Sequence, residues 1–233
     1  MKTLGIIGGI APESTIEYYR QTIALYRERT GDGDYPSIII NSIDLKRVLE
    51  LVAIGHLAEL TDYLVAELDR LTAAGVDVAL LASNTPHIVF DQLRARCRVP
   101  LLSIVEAACA ATRAMNLRRV GLLGTRSTME ARFYPEVFTA HGIEVVAPEP
   151  DERDYVHSRY VGELVNGVFQ EDTRRDVLEI LDRMRKRDRV EAVILGGTEL
   201  PLLFRDGPDP PVPLLDTTRI HVERAVTKLL LGE

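Results

Sequence analysis

Cysteine is scarce in this chain, and long apolar runs and basic stripes are missing from it. Two cysteines, Cys97 and Cys109, occur in 233 residues. They are too few for a disulfide scaffold and lack the paired spacing of a zinc site, so no metal is expected and a cytoplasmic location suits them. No apolar stretch approaches the roughly 20 residues that cross a bilayer, which excludes a membrane partner. The opening Met1 to Gly9 is apolar, but Gly8-Gly9 interrupts it and Glu13 stands where a signal-peptide cleavage site would be. It reads as a first strand. Lys and Arg number 28 against 35 Asp and Glu, a net charge of −7. The densest basic run, Arg183 to Arg189, is broken by Asp188 and reads as a solvated helix face. Such a chain repels a phosphate backbone, and nucleic acid is excluded as a partner. Neither the GxGxxG spacing of a dinucleotide site nor the lysine of a phosphate loop is found, so no nucleotide cofactor is expected.

What the sequence does contain is ordinary globular material: 46% hydrophobic and 27% charged residues, with 16 Gly and 12 Pro scattered through it. Short apolar runs alternate with helical patterns, as in a parallel sheet covered by helices, an α/β fold. Strands are expected at 3–8, 37–42, 76–82, 101–104, 119–124, 143–147, 190–196 and 212–215. Helical core stripes are expected at Ile16, Tyr19, Ile23 and Tyr26, at Leu57, Leu60, Leu64, Leu68 and Leu71, and at Val177, Ile180, Leu181 and Met184.

The second half of the chain repeats the first. Leu4-Gly5-Ile6-Ile7-Gly8 returns 116 residues later as Val120-Gly121-Leu122-Leu123-Gly124. Val78 to Asn84 returns 114 later as Ala192 to Thr198, and Val99-Pro100-Leu101-Leu102 returns 113 later as Val212-Pro213-Leu214-Leu215. Three aligned echoes imply two similar lobes related by a pseudo-twofold, each with a parallel sheet flanked by helices, and a ligand cleft between them. The expected division is 1–98 plus 208–233 for one lobe and 99–207 for the other.

Ligands in open α/β sheets sit outside the carboxyl ends of the strands, so the polar residues at those ends are the candidate site. Gly8 and Gly9 turn from the first strand into a helix that Pro12 opens, and Gly124-Thr125 with Thr128 does the same after the equivalent strand. Such turns are expected to offer N–H groups, hydroxyls and a positive dipole end to a small carboxylate, although glycines and hydroxyls also simply punctuate and cap. Ser83, Asn84 and Thr85 end one internal strand, and Gly197, Thr198 and Glu199 end its counterpart. Asp44, Lys46 and Arg47 lie past 37–42, and Asp216-Thr217-Thr218 precede His221. His87 and His221 read as structural histidines.

With these motifs placed, the chain resembles the cofactor-independent aspartate/glutamate racemase family, and within it the broad-specificity amino-acid racemase branch. The resemblance runs nearly end to end. It is carried by Gly5-Ile6-Ile7-Gly8-Gly9 with Glu13-Ser14-Thr15-Ile16 and Tyr18-Tyr19-Arg20, by Asn84-Thr85 with His87, and by Leu122-Leu123-Gly124-Thr125-Arg126 with Thr128-Met129-Glu130 and Phe133-Tyr134. Glu163-Leu164 with Gly167, Thr198-Glu199, and Asp216-Thr217-Thr218 with Ile220-His221 complete it. It implies a two-lobed fold, a homodimer, no cofactor, and an amino acid or dicarboxylate as ligand. The family's racemases use two cysteines, one per lobe, on opposite faces of the α-carbon, because a thiol that titrates near 8.5 can serve as acid or base close to neutral pH.

Here the first family cysteine aligns with Ser83 and the second with Gly197. Neither Cys97, flanked by arginines, nor Cys109, in an apolar helix, takes their place. Ser83 is the candidate reacting group, and Glu199, with Asp44 as its alternative, is the candidate acid or base at the vacant Gly197 wall. Gly197 is expected to leave room for a bulkier substrate or a water molecule. Gly8, Gly9, Asn84, Thr85, Thr125, Thr128, Gly197, Thr198 and Arg47 are the expected ligand binders. Three readings follow: an isomerase acting at the α-carbon without pyridoxal phosphate, a one-sided lyase or decarboxylase, and a non-catalytic amino-acid-binding protein.

Overall fold

The computed structural model describes residues 2–10, 12–31 and 33–231. Ala11, inside the first glycine turn, lies outside the described residues. The chain forms two compact units, one running to Ile104 and taking up again at Thr218, the other Val105–Thr217.

The first unit holds strands β1 (Thr3–Gly8), β2 (Ser37–Ser42), β3 (Val78–Leu81) and β4 (Leu101–Leu102), parallel and in the order β2-β1-β3-β4. Its helices are α1 (Pro12–Thr30), α2 (Leu45–Ala53), α3 (Leu57–Ala73) and α4 (Phe90–Arg96), with a 3-10 turn at Thr85–Val89. Strand alternation sorts the core. Ile7, Ala79 and Leu81 pack with Leu60, Leu64, Leu68 and Leu93 of α3 and α4. Leu4, Ile6, Val78 and Leu80 pack on the other face with Tyr18 and Tyr26 of α1 and with Val222, Ala225 and Val226.

The second unit begins in helix α5 (Ile104–Ala114). Its strands β5 (Arg119–Gly124), β6 (Glu144–Val146), β7 (Ala192–Gly196) and β8 (Leu214–Asp216) are parallel in the order β6-β5-β7-β8. This is the strand order of the first sheet, with β5, β7 and β8 standing where their sequence echoes β1, β3 and β4 stand and β6 in the place of β2. Helices α6 (Arg126–Glu130), α7 (Phe133–Thr139), α8 (Pro150–Gly162), α9 (Glu171–Arg183) and α10 (Leu200–Leu203) complete it, and α11 (Thr217–Leu231) returns the chain to the first unit. Leu123, Val193 and Leu195 pack with Val156 and Tyr160 of α8 and with Val177, Ile180 and Leu181 of α9.

Two expectations are corrected. The joins fall at 104/105 and 217/218 instead of 98/99 and 207/208, because β4 pairs with β3 and β8 with β7, so each short strand stays in the sheet it extends. The inward face of α1 is Ser14, Tyr18, Thr22 and Tyr26, whereas Ile16 and Tyr19 are each 48% exposed. Two polar groups of that face find buried partners: the Ser14 hydroxyl donates to the Ala82 carbonyl at 3.0 Å and the Tyr18 hydroxyl lies 2.8 Å from His221 Nδ1.

Candidate functional site

The turn after β1 is built by its glycines. Gly9 has φ +86°, and a Cβ there would lie 2.3 Å from the Ile43 carbonyl. A Cβ on Gly8 would lie 2.5 Å from Thr15 Cγ2. Thr15 closes on the turn and accepts the Gly9 N–H through Oγ1 at 2.8 Å. The Gly9 N–H expected to face an anion is therefore engaged within the turn. In the second unit the Thr125 hydroxyl caps α6, accepting from Thr128 N–H at 3.3 Å and lying 3.1 Å from the Thr128 hydroxyl. Thr128 is fully buried. Thr125 caps the helix through Thr128, which is the punctuating role its residue type also allows.

Ser83, Asn84, Thr85 and His87 follow β3 and are all buried, between 3% and 6% exposed. The turn folds back far enough to bring His87 to Ser83, but onto its backbone. His87 Nε2 accepts the Ile104 N–H at 3.2 Å, so the ring proton sits on Nδ1, which donates to the Ser83 carbonyl at 3.1 Å. The ring stacks on Phe90 with centroids 4.8 Å apart. Burial, with His221 nearby, lowers its pKa to about 3. His87 is a neutral strut for the turn with both nitrogens in use. His221 is its neighbour, with ring centroids 6.4 Å apart. Its Nε2 donates to the Leu102 carbonyl at 3.2 Å and its Nδ1 accepts from the Tyr18 hydroxyl at 2.8 Å. Burial lowers its pKa to about 4.

The counterpart turn after β7 holds a residue that sequence reasoning missed. A Cβ on Gly197 would lie 2.3 Å from Cε2, 2.8 Å from Cζ and 2.9 Å from the hydroxyl of Tyr160. The space expected beside Gly197 is filled: the α8 phenol occupies the volume a side chain at 197 would take. Tyr160 donates its hydroxyl to Glu199 Oε2, and the Thr198 hydroxyl donates to the same oxygen at 3.1 Å. Thr198, Glu199 and Tyr160 are 3%, 1% and 5% exposed. Burial first, then the Glu199 carboxyl, holds the Tyr160 pKa well above that of a free phenol. Glu199 is thus packed and hydrogen-bonded inside its own unit. The only signal for Tyr160 in the sequence was the missing side chain at the end of a buried strand.

Arg47, placed among the ligand binders, is exposed on α2 with its guanidinium 4.1 Å over the Tyr63 ring. It lines a hollow of about 410 Å³ with Glu59, Asp62, Glu67 and Arg70. Asp44 caps α2, accepting the Lys46 N–H at 2.9 Å. Cys97 ends α4, and Cys109 lies buried in α5; burial raises both thiol pKa values. Among the described residues no helix is long and apolar enough to cross a membrane, and no cluster of three or more His, Cys, Asp or Glu residues is arranged to hold a metal ion.

A family model described as Asp/Glu/hydantoin racemase matches residues 7–225. The broad-specificity amino-acid racemase RacX of Bacillus subtilis is 28% identical over 146 residues, 61% of this chain and 63% of that protein. A glutamate racemase of Parafrankia sp. is 33% identical over 152 residues, 63% of this chain and 52% of that protein. The matches thus span less than two thirds of these two relatives. Among solved structures, a Yersinia pestis protein assigned to the Asp/Glu racemases is 35% identical with a TM-score of 0.88, covering 99% of this chain and all of that one. An aspartate racemase homologue from Pyrococcus horikoshii is 33% identical with a TM-score of 0.83, over 98% and 99% of the two chains.

Proposed function

We propose that this chain, which belongs to the Asp/Glu/hydantoin racemase family, takes a small amino acid or dicarboxylate and acts at its α-carbon without pyridoxal phosphate. The observation that carries this reading is the buried polar strand end Ser83-Asn84-Thr85, matched by Thr198-Glu199 in the second unit, within a match of nearly full length to racemase folds. Asn84, Thr85 and Thr198 are the groups assigned to the ligand, with Gly8, Gly9, Thr125 and Thr128 shaping the turns around it. A carboxylate held by such donors stabilises the charge that develops when the α-proton leaves. Ser83 stands at the first thiol position and is the reacting-side group.

The experiment is incubation of the purified protein in D₂O with L- and D-aspartate and L- and D-glutamate, without cofactor, followed by proton NMR and chiral analysis. Loss of the α-proton signal supports action at that carbon. Absence of exchange together with absence of binding removes the amino-acid reading. A second reading, a non-catalytic amino-acid-binding protein, is favoured by the engagement of His87 with backbone groups, which leaves that ring no nitrogen to activate Ser83. It predicts saturable binding and no exchange.

A further inference from the structure

In the second unit the carboxyl ends of β5 and β7 lie side by side, with Gly124 opposite Gly196, and α8 meets the turns that leave both. His157 of α8 bonds Arg126 in the turn after β5, and Tyr160, one helical turn further on, covers Gly197 in the turn after β7. Ligands of open α/β sheets sit outside such strand ends. We infer that His157 is a ligand-binding residue: a neutral imidazole whose Nε2–H donates to a carboxylate of a small amino acid or dicarboxylate. This role rests on the amino-acid reading above and adds to it a carboxylate donor in the second unit.

The partners of the ring fix its proton. The Arg126 backbone N–H donates to His157 Nδ1 at 3.2 Å, so the neutral ring carries its proton on Nε2. That nitrogen has no partner among the described residues, and in this half-buried side chain it stays open to solvent. Burial first, and then the Arg126 guanidinium, lower the His157 pKa, outweighing Asp154 and Glu130, which raise it. At neutral pH the ring is therefore uncharged, and its remaining capacity is to donate from Nε2.

The surroundings suit a zwitterion or a dicarboxylate. Arg126 bonds Asp154 at 2.8 Å, and Arg153, one turn before His157 on α8, pairs with Glu130 at 4.0 Å, so the charges near the ring balance. A neutral donor among balanced charges binds a carboxylate without repelling the ammonium group of an amino acid. Hydrogen bonds that end on a charged group are also the stronger ones. The Thr125 hydroxyl, expected from the sequence to serve a carboxylate at this turn, caps α6 instead. His157 reaches the same turn through residue 126 with its donor still available.

Two replacements separate binding from support. His157→Asn keeps an oxygen near the Nδ1 position for the Arg126 N–H and removes the distal donor, whereas His157→Gln keeps an amide N–H near the Nε2 position and gives up the Arg126 contact. Calorimetry on the full chain with L-aspartate, L-glutamate and succinate is expected to show affinity about tenfold or more weaker in His157→Asn, with little change in melting temperature. His157→Gln is expected to bind more tightly than His157→Asn while being the less stable of the two. On the native chain, nitrogen NMR of the imidazole rings is expected to show His157 protonated on Nε2 at neutral pH and its signals shifting with saturation as ligand is added, a result that depends on no variant folding. Affinity in His157→Asn within about twofold of native overturns the inference, as does a His157→Gln variant that binds more weakly than His157→Asn. Saturable binding that leaves the His157 signals unmoved, or a proton found on Nδ1, overturns it as well, and all of these leave the amino-acid reading standing. A native chain that binds none of the three ligands removes that reading, and the role of His157 with it.

Discussion

The hydroxyl of Tyr18 lies 2.8 Å from Nδ1 of His221, joining residues 203 apart in the chain inside the first unit. The His221 Nε2 proton goes to the Leu102 carbonyl, so Nδ1 must accept and Tyr18 must donate. Tyr18 is fully buried, as is His221. The bond ties α1 to α11 beside β3, the strand that precedes Ser83.

Removing the donor leaves a buried ring nitrogen with nothing to accept from. Tyr18→Phe keeps the ring volume and is expected to lower stability by about 1–3 kcal/mol, measured by urea unfolding. A midpoint equal to that of the native chain would show that the bond carries no net weight.

Stability should fall on mild acidification. Burial lowers the folded pKa of His87 to about 3 and of His221 to about 4, while both titrate near 6.5 when unfolded. The unfolded chain therefore binds protons first as pH drops. The contribution of the two neutral rings is complete above about 6.5 and is lost progressively below it, at up to about 1.4 kcal/mol per pH unit for each ring, until the folded pKa values are reached. Urea midpoints at pH 7.5, 6 and 5 check this. A flat profile across that range contradicts the buried neutral state of both rings.

The first glycine turn tolerates no side chain. Gly9→Ala combines a φ of +86° with a Cβ 2.3 Å from the Ile43 carbonyl, and is expected to cost about 2 kcal/mol or more. Thermal unfolding reads it directly, and a shift of under a degree would mean the turn rearranges freely.

Capping and ligand roles separate at Thr125. Loss of the cap in Thr125→Ala should cost about 1 kcal/mol of stability. Thr125→Ser keeps the cap oxygen and should restore it. If aspartate or glutamate affinity, followed by calorimetry, tracks only the change in stability, the threonine serves the turn and not the ligand.

Ser83→Ala should abolish α-proton exchange while leaving amino-acid affinity within a few-fold. Cys97→Ser with Cys109→Ser should leave exchange unchanged, since burial keeps both thiols protonated. Exchange that survives the first change, or disappears with the second, reassigns the reacting group.

The sequence by itself determined the layered α/β architecture and the positions of the sheet strands. Runs such as 3–8, 37–42 and 119–124 coincide with β1, β2 and β5 residue for residue, because a short β-branched and apolar run bounded by turn residues favours a strand, buried in β1 and β5 and partly exposed at the sheet edge in β2. The repeat likewise announced two similar parallel sheets, and the structure gives them one strand order. Local patterns also marked Ser83, Asn84, Thr85, Thr198 and Glu199 as polar ends of buried strands, which they are. Tertiary structure decided the rest. Periodicity favoured Ile16 and Tyr19 on α1, but the buried face is the one whose polar groups find partners in Ala82 and His221. It also put Tyr160 into the place left by Gly197, residues that pattern reading treats separately because they lie on different elements. Helical spacing reports which face of α8 is apolar; which atoms that face meets at the end of β7 is set only when the two elements pack.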